Sequence, residues 1–269
     1  MKHKDWLVST MAGLIIGLLF SITGITNSFN SVQSSNAISS SANAVAQMRS
    51  SDTKWSSLSA EGTTIWYTDK GTENVKMSVQ INQPNKVKLQ ILQTDENGDL
   101  VFDYVWVTDG DKIYEQNNIK KTYTLYDVPA FARLSHADLV LTTPKEDTPS
   151  ITRHPIAMLM PSPLADYIYP IGLSQRTGTY SLEANNQTLG RPVFVLDFMG
   201  DNASEHQKLE VDQSTGIIIK AQTFGEKDKL FEETTLTNIL VDAENPIETF
   251  STQPPDGFTY VPLEEFSRR

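Results

Sequence analysis

The sequence predicts a mainly β (α+β) protein, built on one large twisted antiparallel sheet between about residues 62 and 241. Apolar and polar residues alternate in several runs, for example over 86–94, which is typical of strands with one buried and one solvated face. Asn-Gly at 97–98 and Asp-Gly at 109–110 separate such runs, where hairpin turns need residues that tolerate a positive φ. The change from alternation to turn and back to alternation indicates consecutive antiparallel strands.

These signals divide most of the chain into short elements. The predicted strands are 75–81, 86–94, 100–108, 112–116, 121–125, 179–183, 191–198, 207–212, 216–224 and 230–241. Residues 42–58 have apolar residues at rough helical spacing, so they predict a helix that Ser51 and Asp52 interrupt. Residues 246–260, which include two consecutive prolines, are typical of an extended closing segment.

Residues 127–173 break the strand pattern, because their seven prolines forbid long regular elements. Two interpretations stay open: a loop that closes one end of the core, or a mobile cover over an apolar cavity. For the aromatic candidates, ordinary core packing is the alternative to cavity lining. The candidate ligand-binding residues of such a cavity and its lid are Trp66, Met77, Leu89, Ile91, Trp106, Met158, Met160, Leu164, Phe194 and Leu196.

The first 25 residues predict a signal peptide or a transmembrane anchor. Basic residues precede an uncharged apolar run, Trp6 to Ile25, which as a helix has about the thickness of a bilayer core. We therefore expect the remainder outside the cytoplasm, on a single-pass membrane anchor, or secreted or periplasmic if the run is cleaved. Residues 26–44, rich in Ser and Asn, predict a flexible tether, and 45–262 predict the folded domain.

Composition argues against several classes of function. The net charge of −11 argues against nucleic-acid binding, which needs clustered Lys and Arg. Without cysteine the chain has no disulfide, thiolate nucleophile, Cys-ligated zinc or acylated Cys. Its four histidines lack metal-ligand spacing, and no recognised catalytic motif is present. We therefore expect a protein that is not an enzyme and has no metal and no cofactor.

The last third of the chain contains several recurrent motifs. A strand, a D-x-x-T-G turn at 212–216 and a second strand lead to a basic residue, Lys220. The Asp side chain can cap its own turn, and the Gly supplies the positive φ. A G-R-P strand start at 190–192, a P-P-x-G-F end at 254–258 and an upstream D-G-x-x-I-Y hairpin at 109–114 accompany it. Together these motifs resemble LolA-type outer membrane lipoprotein carriers and the related sigma-E regulatory periplasmic proteins, the LolA/LolB/RseB-like superfamily.

This resemblance, which spans about residues 45–260, implies an incomplete antiparallel β-barrel wrapped over a few helices and enclosing an apolar cavity. It implies an extracytoplasmic binding protein for a lipid or a lipoprotein acyl chain. Two alternatives stay open: an envelope regulator that binds an anti-sigma factor or another membrane protein, and a soluble lipoprotein carrier if the N-terminal helix is cleaved. The carrier's lid-gating arginine has no counterpart, because residues 62–92 contain no Arg, and this favours a tethered relative.

Overall fold

The computed structural model describes residues 35–69, 71–95, 97–133, 153–201 and 205–268. Its α-helices there are α1 (Ser35–Arg49) and α2 (Leu164–Ile168). Its strands are β1 (Ser57–Thr68), β2 (Gly71–Asn82), β3 (Lys86–Thr94), β4 (Leu100–Thr108), β5 (Lys112–Asn117), β6 (Thr122–Asp127), β7 (Gly178–Thr188), β8 (Arg191–Gly200), β9 (His206–Asp212), β10 (Ile218–Phe224), β11 (Leu230–Val241) and β12 (Thr259–Tyr260).

All twelve strands belong to one sheet, in the order β12-β6-β5-β4-β3-β2-β1-β11-β10-β9-β8-β7. Neighbours are antiparallel except β12, which pairs in parallel with β6 over two residues. Strand β1 pairs with both β2 and β11 and so joins the two halves of the sheet. Within the described residues, the terminal strands β12 and β7 do not pair with each other, so the barrel is incomplete. The predicted fold class is confirmed.

One apolar core lies on the inner side of this sheet. Strands far apart in the strand order contribute to the same cluster, for example Phe102 of β4 and Val193 of β8. Met48 of α1 and Ile168 of α2 are fully buried in it. A sheet of this size can bring such distant strands to one core only by curling, which is how half-barrels form.

The predicted strands lie close to observed ones, but strand β1 was not predicted, and the predicted helix over 42–58 is partly wrong. Helix α1 ends at Arg49, a 3₁₀ turn covers Ser51–Thr53, and β1 begins at Ser57. The Ser51 hydroxyl, 3.3 Å from the carbonyl oxygen of Ile168, donates a hydrogen bond to it instead of lying in a continuous helix. The α-helix therefore ends just before the interruption at Ser51.

The N-terminal predictions fall mostly outside the described residues. These include the apolar run Trp6 to Ile25 and the first part of the predicted tether 26–44. Helix α1 begins at Ser35, so the rest of that tether is helical, and Ala44 is fully buried in the core. In the part of the chain that the structure describes, no helix has both the length and the apolarity to cross a membrane. The predicted domain boundaries stay predictions.

The D-x-x-T-G turn folds as its sequence predicts. The Asp212 carboxylate accepts hydrogen bonds from the backbone N–H groups of Ser214 and Thr215, at 3.0 and 2.7 Å. Arg191 donates to the other carboxylate oxygen through Nε at 2.6 Å. Burial opposes ionisation of Asp212, but these donors outweigh it and hold its pKa below the ordinary value. The turn is therefore a fixed element of the fold.

Candidate functional site

The inner face of the half-barrel is a continuous apolar surface. In β2 and β3 every second residue is buried, while the residues between them are more exposed. The buried residues of these two strands are Val75, Met77, Val79, Ile81, Val87, Leu89 and Ile91. A concave surface of this composition can bury an apolar partner, whether a segment of the same chain or a ligand.

In the structure, residues 153–175, here called the cover, lie over this face. The cover contains α2 and a 3₁₀ turn at Leu173–Gln175, and prolines on both sides of α2 keep that helix short. Ile156, Leu164 and Ile168 of the cover are fully buried. The described part of the proline-rich region closes the core, as the first interpretation states. The second interpretation, in which this segment moves to open an apolar cavity, stays a prediction.

The cover contacts the central strands directly. A Leu164 methyl group lies 3.5 Å from the point that a Cβ atom on Gly62 of β1 would occupy. The Ser162 hydroxyl lies 3.1 Å from the Met77 sulfur in β2. Because Gly62 has no side chain, the cover can approach the sheet closely at this point.

A partly buried carboxylate links the cover to the sheet. Glu232 of β11 accepts hydrogen bonds from the indole N–H of Trp66 at 2.9 Å and from the Tyr167 hydroxyl at 3.4 Å. Burial raises the pKa of Glu232 above its ordinary value, and these donors only partly oppose the shift. Glu232 is therefore a polar contact of the cover whose carboxyl binds its proton more tightly than an ordinary glutamate.

An aromatic stack holds the end of α2 against the segment before β1. The Tyr169 ring stacks on His154 at a centroid distance of 4.1 Å and packs against Trp55 at 5.3 Å. Tyr169 is fully buried, and this burial raises the pKa of its hydroxyl well above the ordinary value. The Tyr169 hydroxyl therefore stays protonated, and the ring serves in packing.

A second buried carboxylate lies on the inner side of β5. Glu115, with no exposed side-chain surface, accepts hydrogen bonds from the hydroxyls of Tyr104 and Tyr126 and from the guanidinium of Arg268. Burial opposes ionisation of Glu115, but Arg268 and the two tyrosines outweigh it and lower its pKa. Glu115 is thus a charged group inside the half-barrel.

The outer face carries a separate, mostly polar cleft. Phe250 packs there with Val107 and Tyr114 in a small second apolar cluster. The adjacent cleft, about 250 Å³ in volume, is lined by polar side chains that include Lys88 and Glu248. Polar side chains on both walls make this cleft unsuitable for an acyl chain.

Nine of the ten predicted ligand-binding residues lie in or against the main core. Trp66 and Phe194 are partly buried, and Met158 is 55% exposed at the surface of the cover. The fully buried or nearly buried ones are Met77, Leu89, Ile91, Trp106, Met160, Leu164 and Leu196. Their contact with a ligand stays a prediction.

Sequence reasoning missed both carboxylates of the inner face. Glu115 follows the buried Ile113 by two residues, and Glu232 precedes the buried Thr234 by two. Each glutamate lies two residues from a buried residue of its own strand, so both point to the same face, and this spacing was the signal in the sequence. Within the described residues, no group of three or more acidic or histidine side chains lies where it could hold a metal ion.

No known family profile matches the chain, and no curated protein matches its sequence. Similar solved structures include MucB in the MucA/MucB complex of Pseudomonas aeruginosa, at 18% identity and a TM-score of 0.44. That match covers 79% of this chain and 60% of the other, so this chain spans about three fifths of the MucB length.

Two further similar structures are shorter proteins. The LolA superfamily protein from Nitrosomonas europaea has 8% identity and a TM-score of 0.30, and the match covers 78% of this chain and 97% of the other. Lipoprotein LppX from Mycobacterium tuberculosis has 8% identity and a TM-score of 0.38, covering 77% and 98%.

Proposed function

We propose that this chain is an extracytoplasmic binding protein that holds an apolar ligand, a lipid or a lipoprotein acyl chain, between the cover and the half-barrel. One observation carries the proposal. The concave face of the sheet is closed by helix α1 and by a short, separate segment, residues 153–175, and not by another layer of strands. Displacement of that segment would open an apolar surface. The motifs of residues 190–258 support the same class of function.

Burial of the ligand offsets part of the cost of moving the cover. Burial of a large aliphatic side chain contributes about 1.5–3 kcal/mol, so Ile156, Leu164 and Ile168 together contribute roughly 5–9 kcal/mol. A buried methylene contributes about 0.8 kcal/mol, so a chain of about twelve methylenes contributes on the order of 10 kcal/mol. An acyl chain can therefore offset the exposure of these three side chains, while other buried residues of the cover, such as Met160 and Tyr169, add to the cost of moving it.

A cross-link between the cover and the sheet tests the proposal. Because the chain has no cysteine, Ser162→Cys with Met77→Cys introduces a unique thiol pair at the place where the Ser162 hydroxyl contacts the Met77 sulfur at 3.1 Å. The pair is joined by a disulfide or a short bifunctional thiol reagent. We expect the full-length chain to take up a fluorescent fatty acid and to yield lipid on organic extraction. The cross-linked chain should lose uptake, and reduction of the disulfide should restore it.

The single variant Ser162→Cys is the matched control and should bind the probe. Uptake that is the same with the cover joined and free would contradict ligand binding beneath the cover. Failure to recover any lipid, together with no uptake of the probe, would contradict the proposed function as a whole.

A further inference from the structure

The environment of Glu115 has the geometry of a guanidinium-binding site. One carboxylate oxygen accepts from Tyr104 at 2.6 Å and from Nε of Arg268 at 2.7 Å. The other accepts from Tyr126 at 2.5 Å and from Nη2 of Arg268 at 2.8 Å. The arginine is thus bound by two parallel hydrogen bonds, the arrangement that a planar guanidinium makes and an ammonium cannot.

The three residues that bind the guanidinium are held by the sheet. Tyr104, Glu115 and Tyr126 lie on β4, β5 and β6, which are neighbours in the strand order. Tyr104 and Glu115 are almost completely buried. A fully buried carboxylate that loses its counter-charge is strongly destabilising, so the ionised site is stable only with a cation bound.

The arginine, in contrast, comes from an irregular segment outside the sheet, whose Phe266 packs against the core. Residues 261–268, here called the strap, follow β12, whose two residues are both exposed. Besides those of Arg268, hydrogen bonds attach the strap to the sheet. The Val261 N–H donates to the carbonyl oxygen of Tyr123 at 2.8 Å, and the Asn117 side-chain amide donates to the carbonyl oxygen of Ser267 at 3.0 Å. The Arg268 side chain itself is 46% exposed. The sheet therefore holds the three residues of the site in place, while solvent reaches the Arg268 side chain that occupies it.

We propose that Glu115, Tyr104 and Tyr126 form a binding site for an arginine side chain of a partner peptide, which takes the place of the strap and its Arg268. The net charge of −11 favours a basic partner over an acidic one. Because β12 pairs beside β6 and the strap then turns to place the arginine, β12 and the strap together show the shape that the peptide needs. This inference depends on neither the apolar ligand nor displacement of the cover.

The first experiment empties the site in the full-length chain. We expect N-ethylguanidinium to raise the thermal unfolding temperature of Arg268→Ala, and ethylammonium at the same concentration to raise it much less. The double variant Arg268→Ala/Glu115→Gln should show no difference between the two cations. Equal shifts with both cations in Arg268→Ala would overturn the proposed site.

The second experiment tests the exchange by peptide binding. The probe is a labelled peptide that copies residues 264–268, Glu-Glu-Phe-Ser-Arg, and its control has Ala at the last position. We expect Arg268→Ala to bind the probe at least tenfold more tightly than the wild type, and the control peptide to bind neither. If Arg268→Ala is not folded, Arg268→Lys replaces it, since the ammonium keeps the charge but not the paired hydrogen bonds. Equal affinity of the variant and the wild type would exclude exchange with the strap.

Discussion

Gly216 combines two constraints, a positive φ and a close contact with another element of the fold. Its φ is +75°, and a Cβ atom at this position would lie 2.1 Å from the carbonyl oxygen of Gln47 in α1. Gly190 has nearly the same φ, +73°, but open space around it. The D-x-x-T-G turn thus needs its glycine both for the turn itself and for close contact with the helix.

We predict that Gly216→Ala lowers the free energy of unfolding much more than Gly190→Ala. Both variants lose about 1 kcal/mol because of the positive φ. Gly216→Ala loses roughly a further 2 kcal/mol, because the turn must move away from α1. Urea unfolding of both variants measures the difference. Equal losses would show that the contact between the turn and the helix contributes nothing to stability.

At the scale of elements, the contact between the cover and β11 makes stability depend on pH. The folded state raises the pKa of Glu232 above its ordinary value of 4.5, so the folded chain binds this proton more tightly than the unfolded chain. The stabilisation is therefore complete below the unfolded pKa and is lost as pH rises through the folded pKa.

We predict that Glu232→Gln removes this loss, because glutamine does not titrate. The free energy of unfolding of the variant, relative to wild type, should increase as pH rises from about 4 towards neutrality. Urea unfolding at a series of pH values measures it, and Glu61→Gln, at an exposed position of β1, is the control for loss of one negative charge. A difference between Glu232→Gln and wild type that is constant with pH would contradict the raised pKa.

The elements differ in how far the sequence predicts them. Strands β3 and β4 have strong alternation of large apolar residues, and both were predicted with their observed bounds. Strand β1 was not predicted, since several of its buried positions are small or polar, such as Ala60, Gly62 and Thr64. They are small where the cover packs closely, as Leu164 does at Gly62. Local periodicity cannot report a contact made by residues that lie so far along the chain.

The same limit applies to the candidate site. The apolar residues of the inner face could be predicted, because burial follows from alternation alone. The pair of Glu115 and Arg268 could not, because 153 residues separate the two charges and no motif connects them. The destination of the cover was open for a similar reason, since its short apolar turns fit either a closing loop or a lid.

At the scale of the whole molecule, the two halves of the sheet share one core and are joined by the ladder of β1 and β11. We predict a single cooperative unfolding transition for residues 35–268. Fluorescence of Trp66 in β1 and Trp106 in β4 should change at the same urea concentration as the far-ultraviolet circular dichroism. Two separate transitions would show that the halves fold independently, each with its own core.

The pairing of β1 with β11 also affects the order of events during synthesis. Leu58 pairs with Val241, so one edge of the first strand has no partner until roughly 180 further residues have been made. At about 5–20 residues per second this takes on the order of 10–35 s. During that time an open strand edge is available for wrong pairing. We therefore expect the growing chain to depend on a holding chaperone, or on passage through a translocation channel, until β11 has emerged.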